Sequence, residues 1–385
     1  MTTQAFISAS PPRLLSLDFF RGATVAAMIL VNNPGDWGNI YAPLEHAEWN
    51  GCTPTDLIFP SFLFIVGVSI AYSMGTKKTT PELHVATIVK ALKRSLILFT
   101  LGLFLSLFPK VFIDPIDAFE HVRIPGVLQR IALVFFFSSV IFLKFREMAI
   151  FKIIIILLAT YWVLMTFVPV PGIGPANLEK ETNLGAWIDR GLLTEAHLWK
   201  SSKTWDPEGT LGTIPAIATG LFGVLVGIYL KRKDVETATR TVWLFCTGLA
   251  GIALGLLWDL QFPINKALWT SSFVLYAGGI ATIILALCYW IIDVQQYNRF
   301  TKPFVVYGVN AITVFFLSGL IPRTLNLITV KGQDNNRETL NVYLFRGFQN
   351  SLSPVNASLC WAITFVLCWL IVLWIMYNKK IIIKV

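Results

Sequence analysis

Charge is what this chain has least of. Asp, Glu, Lys and Arg make up 14% of its 385 residues against 55% hydrophobic ones, and mean hydropathy is +0.66. Soluble domains carry about a quarter charged residues, so a soluble globular fold does not fit. Cysteine is scarce too: Cys246, Cys288, Cys360 and Cys368 lie in apolar runs and Cys52 in a loop. No CxxC and no Cys/His ligand spacing occurs, which argues against a disulfide framework and against any metal centre. A Walker loop, GxGxxG, HExxH and GxSxG are all missing from any supporting context. Their absence speaks against an ATP-driven pump, an intramembrane metalloprotease and a lipase-like hydrolase. The opening MTTQAFISASPP lacks the basic stretch and apolar core of a cleavable signal peptide. The first apolar helix is therefore expected to act as an uncleaved insertion signal.

What the chain has instead is a succession of apolar runs, each near the length of about 20 residues that a membrane core requires. They lie near 17–33, 55–75, 88–108, 125–143, 149–168, 211–230, 240–258, 270–292, 303–322 and 356–377. A bilayer offers the backbone no water to bond, so these runs should be helices. The expected fold is an all-α integral membrane protein, a single domain over 1–385 built as a bundle of about ten transmembrane helices. The run containing Arg21 and the one opening on Lys90, Lys93 and Arg94 fit least well, and snorkelling of long basic side chains would reconcile them.

Basic residues alternate from loop to loop. They gather at Lys77–Arg94, Lys144–Lys152, Lys231–Arg240, Arg299–Lys302 and Lys379–Lys384, whereas the loop around His46 has no Lys or Arg, only Asp36, Glu45 and Glu48. The positive-inside rule then expects both termini in the cytoplasm and His46 on the opposite side. The net charge of +9 belongs to this topology, so the partner it implies is a lipid bilayer and not nucleic acid. A multi-pass protein of a bacterial inner membrane is the expected location, with a homodimer as the protein partnership to test.

The longest segment between runs, about 169–210, carries Trp187, Trp199 and Trp205. These could stack on a sugar or sit as membrane-belt tryptophans, and sequence does not choose between the two. A second segment, 323–352, reads as a short interfacial helix. Gly223/Gly227 and Gly251/Gly255 have the small-xxx-small spacing of close helix packing. No internal repeat is visible, which counts against a secondary transporter of small polar solutes.

His46 is the sharpest candidate for chemistry. Imidazole can deprotonate an attacking amine or accept an acyl group near neutral pH. Asp18 and Arg21, three apart, share a helix face and could pair or shape an anion site. Asn32 and Asn33 end the same helix, where an amide could either cap or face an oxyanion. Asp56, in TPTDLIFP, reads first as a helix-start residue with Thr53 or Thr55 as cap, and second as a partner across the hairpin for His46. Arg130 in HVRIPGVLQRIAL would lie about one turn inside a run and needs a partner or a cavity. Arg123, Asp206, Glu208, Asp259, Asn265 and Lys266 come from separate segments toward the His46 side, and Asn310 interrupts the apolar run VVYGVNAITVFFLSG. Such convergence is what a buried site requires. His84, His121 and His197 read as surface residues.

Three blocks carry a resemblance: SLDFFRG…VNNPGDW…LEHAEWNG-TPTDLIFPSFLFIVGVS, then VRIPGVLQRIAL, then WDPEGTLGTIPAIATGLFG with NKALWTSSFVL. In these the chain resembles the heparan-α-glucosaminide N-acetyltransferase family and its bacterial relatives. That resemblance implies a transmembrane acetyltransferase, moving acetyl from cytosolic acetyl-CoA to the amine of an amino sugar on the other side. It implies His46 as nucleophile or general base, with Asn32 at the asparagine of the family's V-N motif; Asp56, from the reading of its own position, joins them as a catalytic candidate. Trp49, Asn50, Arg123, Asp206, Glu208, Asp259, Asn265 and Lys266 become candidates for binding the acceptor. Arg21, Lys90, Lys93, Arg94 and Arg130 become candidates for the anionic head of acetyl-CoA. The chain opens at the hairpin where lysosomal members carry an extra N-terminal luminal domain, so a glucosamine-like or cell-wall sugar is expected in place of heparan sulfate. O-acetylation of a cell-surface glycan is the nearest rival chemistry.

Overall fold

The computed structural model describes residues 14–332 and 336–383; Arg13, the N-terminal stretch before it and Lys384 lie outside the described residues. Every apolar run is helical. The helices are α1 (Leu15–Asn32), α2 (Ile58–Lys78), α3 (His84–Leu107), α4 (Pro115–Glu120), α5 (Val127–Lys144), α6 (Glu147–Phe167) and α7 (Leu184–Leu193), then α8 (Thr213–Leu230), α9 (Thr237–Asp259), α10 (Ser271–Cys288), α11 (Lys302–Val309), α12 (Ala311–Leu325), α13 (Leu340–Gln349) and α14 (Pro354–Asn378). Among the described residues, eight helices are long and apolar enough to cross a membrane. The difference from ten has two physical sources. α3 has the length but carries Lys90, Lys93 and Arg94, and the ninth run is broken into α11 and α12 with an 80° bend between them.

Asn310 sits at that break. Its amide donates to the Ile381 carbonyl at 3.1 Å and its oxygen accepts from the Ile383 N–H at 2.9 Å, tying the chain that follows α14 to the bend. α11 crosses α1 where Gly22 meets Gly308, and a Cβ on Gly22 would fall 1.7 Å from the Phe304 carbonyl oxygen. Only hydrogen in place of a side chain lets the two backbones touch there.

α2 lies at the centre of the bundle. Its Phe64 carbonyl oxygen would stand 2.0 Å from a Cβ on Gly223 of α8, and on the other side of the contact Gly67 meets the Gly220 carbonyl. α9 and α10 meet in the same way through Gly251, Gly255 and Gly279, so both glycine pairs of the sequence mark helix contacts. The Arg21 guanidinium donates to Asp18 at 2.9 Å and to Ser69 of α2 at 2.8 Å. A charge inside the bundle is thus met by partners of the protein.

The segments between helices are more ordered than loops of that length suggest. Within 169–210, α7 is capped by Asn183, whose side chain accepts from the Ala186 N–H at 2.9 Å. Within 323–352, an antiparallel hairpin of β1 (Thr329–Lys331) and β2 (Arg337–Thr339) precedes the expected short helix, α13.

Candidate active site

Two loops at one end of the bundle, the α1–α2 hairpin and the α9–α10 connection, are stitched together through their backbones. The Gly51 N–H donates to the Ile264 carbonyl at 2.8 Å, and Gly51 bridges to Asn265 in parallel fashion. Gly51 sits at φ +102°, where a side chain would strain the turn. Asn265 is fully buried; its side chain donates to Asn50 at 3.2 Å and accepts from the Leu268 N–H at 2.8 Å. Asp259 accepts from the Ile264 N–H at 2.6 Å and closes the loop from its other end. These contacts present the next residue, Lys266, to the hairpin.

Asp56 works in both of the roles its sequence position suggests. It lies in the turn Pro54–Leu57 ahead of α2, where Thr53 and Asp56 form a reciprocal capping box. Its Oδ2 accepts from the backbone N–H groups of Ala47 and Thr53, both at 3.0 Å, and from the Thr53 hydroxyl at 3.1 Å. Its Oδ1 stands 2.7 Å from His46 Nδ1. Asp56 is 1% exposed, whereas the His46 side chain is 49% exposed. A carboxylate only accepts, so Nδ1 carries the ring proton and the lone pair is left on Nε2, facing outward. Lys266 completes the group: its Nζ lies 3.0 Å from His46 Nδ1, 3.4 Å from Nε2 and 3.4 Å from Asp56 Oδ1. Burial pulls the Lys266 ammonium below its ordinary range, opposed by the charges of Asp56 and Glu208. Cys52, beside this group, is no thiolate at neutral pH: burial and the Asp56 charge push its thiol up to about 12.

A second charged cluster lies at the same end. Arg123 grips Asp206 with Nε at 2.8 Å and Nη2 at 2.6 Å, and reaches Glu208 at 2.5 Å. Burial would lower the Arg123 pKa, but the Asp206 and Glu208 carboxylates more than reverse this and hold it above its ordinary range. Arg130, 1% exposed, donates to the Pro207 and Gly209 carbonyls, both at 2.9 Å, and its guanidinium lies 5.1 Å from the Trp269 ring. Its partners are main-chain oxygens of the loop that carries Asp206 and Glu208. The ring of Trp49 meets Trp205 edge-on at 5.1 Å, and Trp205 meets Trp199 at 5.6 Å. The Trp49 Nε1–H donates to the Leu178 carbonyl at 2.9 Å. Trp205 therefore links Trp199 to the hairpin's own tryptophan, while Trp187 stands exposed on α7.

The structure does not bring every candidate together. Arg21 is held by Asp18 and Ser69, Lys90 and Lys93 are exposed on α3, and Arg94 lies over the Phe135 ring at 5.1 Å. Asn32 is exposed at the end of α1, with Asn33 bonded back to the Ile29 carbonyl at 2.8 Å. His84, His121 and His197 bond to the carbonyls of Lys78, Asp117 and Val122. Sequence reasoning passed over Cys52 as a neighbour of the site, and its adjacency to Thr53 in the capping motif was the available signal.

Residues 13–188 match the family model described as the catalytic region of heparan-α-glucosaminide N-acetyltransferase. The human protein of that name is 32% identical over 357 residues, covering 80% of this chain and 53% of the relative. The mouse protein of that name is 31% identical over 355 residues, with the same shares covered. Over these stretches the chain is similar to the proteins named heparan-α-glucosaminide N-acetyltransferase. It spans about half the length of the curated relatives it matches. The segment matched by the family model contains His46, Asp56, Trp49, Arg123 and Arg130, whereas Asp206, Glu208, Asn265 and Lys266 lie beyond it.

Proposed function

We propose that this protein is a transmembrane acetyltransferase that moves acetyl from acetyl-CoA on the cytoplasmic side to the amine of a glucosamine-like sugar on the opposite side. The observation that carries the reading is the His46–Asp56 pair: Nδ1 is occupied by a buried carboxylate and Nε2 is left open at the surface. Deprotonating an amine, or taking an acyl group from a thioester, requires that open lone pair. The names of the relatives supply the reaction class. Trp49, Trp199 and Trp205 offer apolar rings to the flat face of a sugar, with Asn50 beside them as a polar contact. Acetyl-CoA has a strongly anionic head and a long, largely uncharged arm. The head suits the basic end of the bundle, with Arg21, Lys90, Lys93 and Arg94, and the arm can reach His46 between helices.

The test uses purified protein in detergent with radiolabelled acetyl-CoA and glucosamine, comparing wild type with His46→Ala. Labelled N-acetylglucosamine from wild type only supports the reading. Label lost from the product in alkaline hydroxylamine identifies an ester and turns the reading to O-acetylation. Absence of both CoA binding and transfer to any acceptor overturns it, and solute flux in liposomes becomes the next measurement.

A further inference from the structure

Lys266 is an unusual neighbour for a catalytic histidine. Its Nζ is almost equidistant from the two ring nitrogens, 3.0 Å from Nδ1 and 3.4 Å from Nε2. Those nitrogens flank Cε1, so an atom this close to both and lying in the ring plane would collide with that carbon. The amine therefore stands over the ring face. From there it competes neither with Asp56 for the Nδ1 proton nor with an incoming group for the in-plane lone pair of Nε2. Its side chain is largely buried at 19% exposure, and Asp56 Oδ1 at 3.4 Å holds it in place.

We infer that Lys266 stabilises the oxyanion of acyl transfer, its ammonium meeting the thioester oxygen from the face of the His46 ring. The inference rests on the acetyltransfer reading above. Attack by a lone pair comes across the plane of a carbonyl, so the oxygen of a thioester held at Nε2 can turn toward the ring face that Lys266 occupies. If Nε2 attacks, an N–C bond forms and the carbonyl π pair moves onto oxygen. The C–S bond then breaks and CoA leaves as thiolate. The amine displaces the acetyl group from the ring and gives its proton to the freed Nε2, which releases it to solvent in place of the proton the thiolate takes up, so the ring returns to its neutral form. If the amine attacks directly, Nε2 takes the amine proton and passes it to the departing sulfur. Both routes place negative charge on the same oxygen, and a fixed ammonium is worth most where that charge develops.

The ammonium must be present for this role, and the groups around it are His46, Asp56, Cys52 and Glu208. Burial sets its pKa below the ordinary 10.5. Charge is lost as pH rises through that lowered value, so kcat falls on the alkaline side below 10.5. Lys266→Met is expected to lower kcat by about 10²–10³-fold with KM for acetyl-CoA nearly unchanged. Lys266→Arg should keep part of the activity and lose the alkaline decline, because guanidinium does not titrate there. Lys266→Cys should be as inactive as the methionine variant, and alkylation with 2-bromoethylamine, which rebuilds an ammonium at similar reach, should restore turnover. Wild type treated with the same reagent is the control for the native cysteines. Wild-type kcat in Lys266→Met, or no recovery of the cysteine variant after complete alkylation, overturns the inference. Absence of transfer by wild type itself overturns the acetyltransfer reading instead, so the two failures are distinct.

Discussion

Two charged clusters stand at the same end of this bundle, and they are built on opposite plans. Around Arg123, donors and acceptors are matched: Asp206 is gripped by two nitrogens and Glu208 by one of the same pair. Arg130 locks the loop between them through its carbonyls. Around His46 the matching is deliberately one-sided. Asp56 is saturated by three hydrogen bonds besides that of the ring, yet the histidine it orients keeps the in-plane lone pair of Nε2 clear, with Lys266 over the ring face and half of its own side chain in solvent. Charge alone therefore does not mark a site; a ring nitrogen whose in-plane lone pair is left to solvent does. The first cluster fixes the shape of the loops, and the second uses that shape.

Substitutions can break this contrast. His46→Ala should abolish transfer, by 10³-fold or about 4 kcal/mol of activation energy, while leaving the melting temperature in detergent unchanged. Arg123→Met should do the reverse first: stranding buried Asp206 and Glu208 costs about 3–5 kcal/mol of stability, read as a lowered melting temperature whatever becomes of turnover. Asp56→Asn sits between the two. It can no longer fix the Nδ1–H tautomer, so kcat should fall by about 10²-fold, and the weakened cap should cost about 1 kcal/mol of stability. Trp49→Ala should raise the acceptor KM by about tenfold with kcat little altered, the loss of one stacking face. Cys52→Ala should be nearly silent in activity. Alkylation of Cys52 in the wild type should stay slow until pH approaches the value of about 12 to which its thiol is pushed.

Hydropathy made the helical runs legible, because in a membrane the length and apolarity of a segment are themselves the structural determinant. The capping role of Thr53 and Asp56 was legible for the same local reason. What could not be read locally was anything decided by distance along the chain. Lys266 reaches His46 across 220 residues, and the clasp of Arg123 on Asp206 spans 83. No spacing rule reports such meetings, and only the resemblance singled out His46 from three other loop histidines. Asn310 was visible as a polar interruption, but its consequence was not. An 80° bend follows because its side chain is engaged with the chain beyond α14 and does not cap a continuing helix.

That engagement matters to anyone who handles the protein. Asn310 clasps the main chain at Ile381 and Ile383, both amide and carbonyl, at a bend where neighbouring helices are too close to readjust. Trimming the chain after Lys380 would strip a buried amide of both its partners, and a bulky reporter fused just downstream would pull on the same anchor. An affinity handle placed at exposed Lys233, between α8 and α9, avoids that load, and comparing the two placements by detergent melting would show how firmly the far end of the sequence is sewn to the middle of the molecule.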